Sequence, residues 1–312
     1  MKITRSPQKL RTIAPLLRVR ASRRPALRAL TILGFALALG ATMRGQTILG
    51  STGSYAVMAG STVTVNGVNA LTGDLGAAGL AGAGSMSFVA TGTSVGPMTA
   101  QNQTDFTRAY TGLAAMPGAI DLTGQVLGDG GVIATLPPGI YKFTSTAQLT
   151  GTLTLNAQGQ SNAVWVFQIG STLTTAAHST IVFSNLAANS VTNNGLFWQV
   201  GSTIVFGANT SFEGNVLGGT SFDVGSGATI NHGRALTGTG QTITLDNNTI
   251  NFASANTGYS GGLAFVDAGN SLAAIPEPST YALTAGSIVL VAVCIRRWSH
   301  AATHHRPDNA RP

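Results

Sequence analysis

The sequence has few charged residues and almost no cysteine. Charged residues make up 9% of the chain, aromatic residues make up 6%, and the single cysteine is Cys294. One cysteine excludes an internal disulfide, so packing and backbone pairing must stabilise the fold. It also excludes the paired-cysteine metal motifs.

Basic residues are scarce except at the two ends of the chain. Of 17 Lys and Arg residues, ten lie at or before Arg44 and four at or after Arg296. This leaves Arg108, Lys142 and Arg234 in the body of the chain, the stretch 46–274. Eight acids lie in the same stretch, so the body carries a net charge of about −5. A nucleic-acid-binding domain needs a basic surface, and we therefore expect no nucleic-acid partner.

Catalytic motifs are missing as well. The sequence has no His-Glu-x-x-His motif and no Walker loop. Only two histidines, His178 and His232, lie in the body, and Asp121 and Asp129 lack the spacing of a calcium loop. We expect no enzymatic activity, no cofactor and no metal site.

The N-terminus has the composition of an export signal. Residues 1–28 hold nine Lys and Arg and no acid, and the apolar stretch 29–41 has signal-peptide length. Residues 22–28 resemble the twin-arginine consensus, with alanine where that signal usually has an aromatic residue, so the twin-arginine and general secretory routes both stay open. We expect residues 1–45 to be a signal peptide.

The C-terminus combines a short motif, an apolar run and a basic stop. Pro276, Glu277 and Pro278 precede an apolar run over 281–295, and Arg296 and Arg297 follow it. This order resembles the PEP-CTERM sorting signal of Gram-negative bacteria, which implies export and processing by an exosortase at the cell surface. The run is shorter than the ~20 residues of a stable membrane helix. The alternative is an ordinary membrane anchor.

These features predict the domain organisation. We expect one domain over 46–255, a flexible Gly/Ser/Ala-rich linker over 256–274, the sorting and anchor segment over 275–298, and a basic cytoplasmic tail over 299–312. The processed protein is expected at the cell surface or outside the cell, after transient anchoring in the inner membrane.

The body alternates apolar and small polar residues, as β-strands do. Strands are predicted at 62–65, 151–155, 163–167, 171–174, 203–206, 221–224 and 242–245, with Gly/Asn turns at intervals typical of solenoid coils. One segment differs, because Phe106, Ala109, Tyr110 and Leu113 recur at helical spacing. We expect one packing helix over 99–116, and a mainly β domain.

Several ordered blocks of the body resemble the microbial ice-binding protein family. They lie at 49–51, 55–64, 73–76, 149–157, 166–175, 197–202, 214–217, 233–236 and 245–250. The resemblance implies a right-handed, discontinuous β-solenoid of triangular section with one long helix alongside. It also implies an ice crystal surface as the partner.

The resemblance further implies a flat face with Thr-Ala/Gly-x-Thr/Asn steps. Segments 175–178, 207–210, 226–229 and 239–242 match this pattern to different degrees. The candidate ice-binding residues are Thr175, Ala177, Ala208, Thr210, Ser226, Ala228, Thr229, Thr239 and Thr242. Because the motif is imperfect, we expect modest activity, such as inhibition of ice recrystallisation.

In a second hypothesis, the protein has the same fold but does not bind ice. In it, the protein is a surface or matrix component that uses the solenoid as a spacer or adhesin, because PEP-CTERM sorting points to an extracellular polysaccharide layer. The regularity of the threonine-bearing face separates the two hypotheses.

Overall fold

A computed structural model describes residues 47–89, 92–187, 193–252 and 259–275. Within them the protein consists mainly of short parallel strands with one α-helix, as predicted. The predicted signal peptide, the Pro-Glu-Pro motif, the apolar run with its two arginines and the basic tail lie outside the described residues. In the described part, no helix is long and apolar enough to cross a membrane.

The strands follow one another in short coils. After a 3₁₀ turn at Gly50–Ser54 the chain forms β1 (Tyr55–Gly60), β2 (Thr62–Asn66), β3 (Val68–Thr72), β4 (Asp74–Gly76), β5 (Gly79–Ala81), β6 (Ser85–Val89), β7 (Ser94–Gly96), helix α1 (Ala100–Ala114), β8 (Ile120–Asp121), β9 (Val126–Leu127), β10 (Thr135–Leu136), β11 (Gly139–Phe143), β12 (Ala147–Leu149), β13 (Thr152–Asn156), β14 (Val164–Ile169), β15 (Leu173–Thr175), β16 (Thr180–Ser184), β17 (Gly195–Val200), β18 (Ile204–Val205), β19 (Ser211–Gly218), β20 (Ser221–Val224), β21 (Thr229–Thr239), β22 (Thr242–Asp246), β23 (Thr249–Asn251), β24 (Leu263–Phe265) and β25 (Leu272–Ala274). All seven predicted strands are present.

Each coil contributes to three faces. The front face is the eight-stranded sheet β5-β2-β22-β20-β18-β15-β12-β9. The covered face contains β7, β4, β1, β17, β14, β11 and β8, and the side face contains β6, β3, β23, β16, β13 and β10. The long strands β19 and β21 pass from the side face into the covered face. This pairing is that of a β-solenoid, and the handedness of its winding stays a prediction.

The coils are not stacked in chain order. The first coil pairs with the last one: β1 lies beside β21, β2 beside β22 and β3 beside β23. The second coil then stacks on the first through the pairs β1–β4, β2–β5 and β3–β6. The stack is therefore discontinuous, with its N-terminal coils at the end beyond the C-terminal coil.

Alternating side chains fill the interior of the stack. Trp165, Phe167 and Trp198 are fully buried there, and the rings of Phe167 and Trp198 stack with centroids 3.8 Å apart. Aromatic stacking of this kind adds stability beyond the area buried. The interior is therefore packed solidly and leaves polar side chains to the outer faces and the corners.

Helix α1 begins at a capping box. The backbone N–H of Asn102 donates to Thr99 Oγ1 at 3.1 Å, and the N–H of Thr99 donates to Asn102 Oδ1 at 3.0 Å. The helix buries Phe106, Ala109 and Leu113 in a second cluster that includes residues of β1, β14, β17, β19 and β21. The predicted helix is confirmed, and it covers one face while leaving the front and side faces free of it.

The predicted flexible linker over 256–274 differs from the structure in its described part. Strands β24 and β25 form an antiparallel hairpin, and Leu263 and Leu272 are buried in the same cluster as α1. The Arg108 guanidinium donates to the backbone carbonyls of Gly269 and Asp267, both at 2.8 Å. Buried leucines and paired backbone make residues 259–275 part of the folded body.

Candidate functional site

The front face presents two outward columns of small polar side chains. The second column follows the register of strand pairing: Thr174 pairs with Val205, Val205 with Asp223, Asp223 with Thr244, and Thr244 with Thr64. None of these five side chains is buried, whereas their strand neighbours point into the core. Three of the five carry a hydroxyl group.

The first column lies two residues earlier in the same five coils, at the first residue of the strand or one residue before it. Its members are Thr172, Thr203, Ser221, Thr242 and Thr62. Ser221 pairs with Thr242 in register, and Thr203 Oγ1 lies 3.1 Å from Thr220 Oγ1 at the same corner. Together the two columns form the front array, which holds eight hydroxyl groups, one valine and one aspartate.

Most of the front array was not identified from the sequence, although a signal exists. Four of its coils begin with Gly-x-Thr, at 60–62, 170–172, 201–203 and 240–242. A Cβ at Gly170 would lie 2.7 Å from the carbonyl oxygen of Thr144, and one at Gly201 would lie 2.5 Å from that of Gly170. Glycine is required where successive coils approach so closely, and the threonine two residues later is the first residue of the front strand or the residue before it.

The candidate residues from the short motif fall into different registers. Thr174, Val205 and Asp223 occupy one register position on three adjacent strands. Relative to that position, the motif begins one residue later at Thr175, two later at Gly207 and three later at Ser226. The segments 175–178, 207–210 and 226–229 are therefore not equivalent steps of one ladder.

Three candidates are buried and cannot contact a crystal surface. Thr175 is 7% exposed, Thr210 is 1% exposed and Ala228 is fully buried. The hydroxyls of Thr175 and Thr210 lie 2.8 Å apart, and Thr210 also donates to the carbonyl of Gly207 at 2.8 Å. These hydroxyls satisfy backbone groups where the chain turns from the front face to the side face, which corrects their predicted surface role.

The remaining candidates are accessible but do not form one cluster. Ala177, Ala208 and Ser226 are exposed along the corner between the front and side faces, and the successive hydrogen bonds from His178 N to Ala208 O and from Asn209 N to Ser226 O link their coils. Thr229 lies on the side face and Thr242 in the front array. Thr239 lies at the other corner, where its backbone N–H donates to Gln103 of α1 at 3.1 Å.

The side face has a hydroxyl column of its own. Thr152 pairs with Thr180, Thr180 with Ser211, Ser211 with Thr229, and Thr229 with Thr249. The next outward position is irregular, since it contains Val182, Glu213 and Asn231 on three neighbouring strands. The connection at 157–163 also leaves this face at one edge. The side face is thus less regular than the front array.

An ion pair lies at the edge between the side and covered faces. His232 Nδ1 is 2.9 Å from Glu213 Oε2. Burial raises the pKa of the Glu213 carboxyl, and the hydrogen bond with that carboxyl raises the pKa of His232. The ring of Tyr259 contacts His232 edge-on, and burial raises the pKa of Tyr259 to about 12. This cluster fastens the start of the C-terminal hairpin segment to the body.

Among the described residues, no group of three or more His, Cys, Asp or Glu side chains could hold a metal ion. The sorting-signal residues Pro276, Glu277, Pro278, Arg296 and Arg297 lie outside the described residues, so the role predicted for them stays a prediction.

Comparison with known proteins adds a family match. The sequence model of the Ice-binding-like family matches residues 57–251. An ice-binding protein of Nostoc sp. (strain HG1) is 42% identical over 209 residues, covering 66% of this chain and 74% of the relative. An ice-binding protein of Flavobacterium frigoris (strain PS1) is 32% identical over 225 residues, covering 66% and 78%.

Solved structures agree with this match. The crystal structure of an ice binding protein from an Antarctic biological consortium is similar with a TM-score of 0.56 at 34% identity, covering 67% of this chain and 92% of that one. The ice-binding protein of the Antarctic ascomycete Antarctomyces psychrotrophicus is similar with a TM-score of 0.55 at 30% identity, covering 66% and 98%.

Proposed function

Because the chain belongs to the Ice-binding-like family, we propose that it adsorbs to ice crystals through the front array. The observation that carries this proposal is the array itself, ten positions in two columns along five adjacent coils, eight of them hydroxyl-bearing. Its register is unbroken in the second column. Helix α1 and the C-terminal hairpin pack elsewhere, against the covered face.

The spacing of the array suits an ordered water lattice. Adjacent strands lie about 4.8 Å apart, and same-face residues along a strand lie about 6.5 to 7 Å apart. These distances are close to oxygen spacings in ice planes. A threonine hydroxyl both donates and accepts hydrogen bonds, and its β-branched side chain loses little rotamer freedom on adsorption. The array can therefore hold water in positions compatible with ice.

The array is also imperfect, which supports modest activity. Val205 offers no hydrogen bond, and Asp223 presents a charge in the middle of the second column. We infer that restraint of ice recrystallisation is the main activity.

The setting of this activity is outside the cell. The basic and apolar N-terminus supports export, and the PEP-CTERM-like end supports exosortase processing and display at the surface. Adsorption there restrains crystal growth around the cell. Extracellular polysaccharide is a second partner of the protein in this setting. This placement is tested by following the processed protein in cell fractions with and without the exchange of Pro276, Glu277 and Pro278 for alanine.

The experiment that tests the proposal compares two faces of one protein. The full-length chain, a Thr64→Tyr/Thr244→Tyr front variant and a Thr229→Tyr/Thr249→Tyr side variant are assayed for ice partitioning and recrystallisation inhibition. Each variant changes one register pair on adjacent strands. Circular dichroism and thermal unfolding check that all three proteins are folded.

We expect the front variant to lose ice partitioning and the side variant to retain it. Loss in the side variant alone would move the site to the side face. An inactive, folded parent would remove ice binding, and the matrix or adhesin hypothesis would then describe the protein.

A further inference from the structure

We propose that Asp223 sets the upper limit of ice affinity on the front face, and that its replacement by threonine converts a weak array into a strong one. This inference rests on the proposed function and deepens it by naming the residue that limits it. It concerns a carboxylate that has no hydrogen-bond or ion-pair partner among the described residues.

Asp223 occupies the middle of the front array. It pairs in register with Val205 on one side and Thr244 on the other, and Ser221 precedes it in the first column. Its side chain is exposed. Within the described residues, no group donates a hydrogen bond to its carboxylate and no cation pairs with it. The carboxylate is therefore bound only by solvent.

The other acid of this sheet is held differently. Asp246 is the last residue of β22, where its carboxylate accepts a hydrogen bond from Asn247 Nδ2 at 2.9 Å and its backbone N–H donates to Asn248 Oδ1. It is half-buried and lies at the edge of the array, not in its centre. Asp223 is thus the one charge that any flat contact over the array must cover.

The chemistry of the carboxylate opposes an ice-like water layer. An ionised carboxylate only accepts hydrogen bonds, so every water around it must point a hydrogen toward it. Water in ice both donates and accepts, as a hydroxyl group does. Covering a charged group also carries a larger desolvation cost than covering a hydroxyl. A single carboxylate in the array therefore disturbs the water over its neighbours.

The structure provides the test positions. Asp223→Thr extends the hydroxyl run of the second column across three successive coils. Asp223→Asn removes the charge but leaves no β-branched hydroxyl. Asp121→Asn is the matched control, because Asp121 is exposed on β8 of the covered face and loses the same charge away from the array.

These variants of the full-length protein are compared by ice partitioning and by the concentration needed for half-maximal recrystallisation inhibition. We expect Asp223→Thr to lower that concentration about tenfold, the factor that corresponds to about 1.4 kcal/mol. Asp223→Asn should give a smaller gain, and Asp121→Asn none. Adding Asp223→Thr to the Thr64→Tyr/Thr244→Tyr variant should give no gain, because the enlarged side chains keep the array off the crystal.

The outcomes separate this inference from the function beneath it. If the parent partitions into ice, the front variant does not, and Asp223→Thr changes nothing, the inference is overturned and the function stands. An equal gain from Asp121→Asn would show an effect of net charge and overturn it as well. If neither the parent nor Asp223→Thr partitions into ice, both the function and the inference fail.

Discussion

Asn248 is the side chain whose loss should destabilise the stack most clearly. It lies at the corner after β22 and is 1% exposed. Its Nδ2 group donates to the carbonyls of Gly225 at 2.8 Å and Ala228 at 3.1 Å, and its Oδ1 accepts from the backbone N–H of Asp246 at 2.6 Å. One amide thus makes three hydrogen bonds to backbone groups of this corner.

The magnitude follows from those three contacts. Asn248→Ala removes all of them, while its own backbone N–H still donates to Asn69 Oδ1 across the junction with the first coil. Each hydrogen bond lost to a buried backbone group costs about 1 kcal/mol, so the variant should lose about 3 kcal/mol of unfolding free energy. For a domain of this size that corresponds to a fall in Tm of roughly 6 to 12 °C.

Thermal unfolding followed by circular dichroism measures this change. Asn66→Ala is the matched control, because Asn66 pairs with Asp246 on the neighbouring coil but has an exposed side chain. We expect the control to stay within about 0.5 kcal/mol of the parent. Equal shifts in Tm for the two variants would refute the assignment of the corner amide as a stabilising group.

Two further predictions concern a corner and a pH profile. Gly233→Ala should abolish folding, because the added methyl group would collide with the backbone carbonyl of Gly214 on the neighbouring coil. Gly79→Ala is the control, since its methyl group would make only an ordinary contact with Thr62 and the variant should fold. The yield of soluble protein distinguishes the two variants. Glu213 and His232 have folded pKa values above their ordinary 4.5 and 6.5, so the folded state binds protons more tightly. Their stabilisation is present below those ordinary values and is lost as pH rises through the folded ones, so Tm should fall as pH rises above the ordinary value of each group in turn. A flat profile would contradict the pair's contribution.

Local patterns predicted the elements of this fold. Alternation identifies strands such as Thr242–Asp246, because one face of each strand is buried. Pro97 before the helix and Pro117 after it mark the boundaries of α1, as prolines do at helix ends. Such signals depend only on neighbouring residues, so they can be interpreted without knowing how the coils stack.

Register across coils depends on corner lengths, which local patterns do not reveal. Asp223 pairs with Thr244, and Thr229 pairs with Thr249 on the following face. The corner therefore spans six positions in one coil, from 223 to 229, and five in the next, from 244 to 249. Aligning short Thr/Gly motifs along the sequence therefore treats residues of different registers as equivalent. It also assigns buried side chains such as Thr210 to the predicted ice-binding surface.

The discontinuous stack delays completion of the body during synthesis. Val57 of β1 pairs with Ala235 of β21, so 178 residues separate the partners of this contact (235 − 57). At about 5 to 20 residues per second, the first coils wait roughly 10 to 35 s for their neighbour to be made. Until then their strand edges stay unpaired. A chain that ends before β21 would lack the strand that pairs with β1. Only a nearly full-length body can therefore complete the stack.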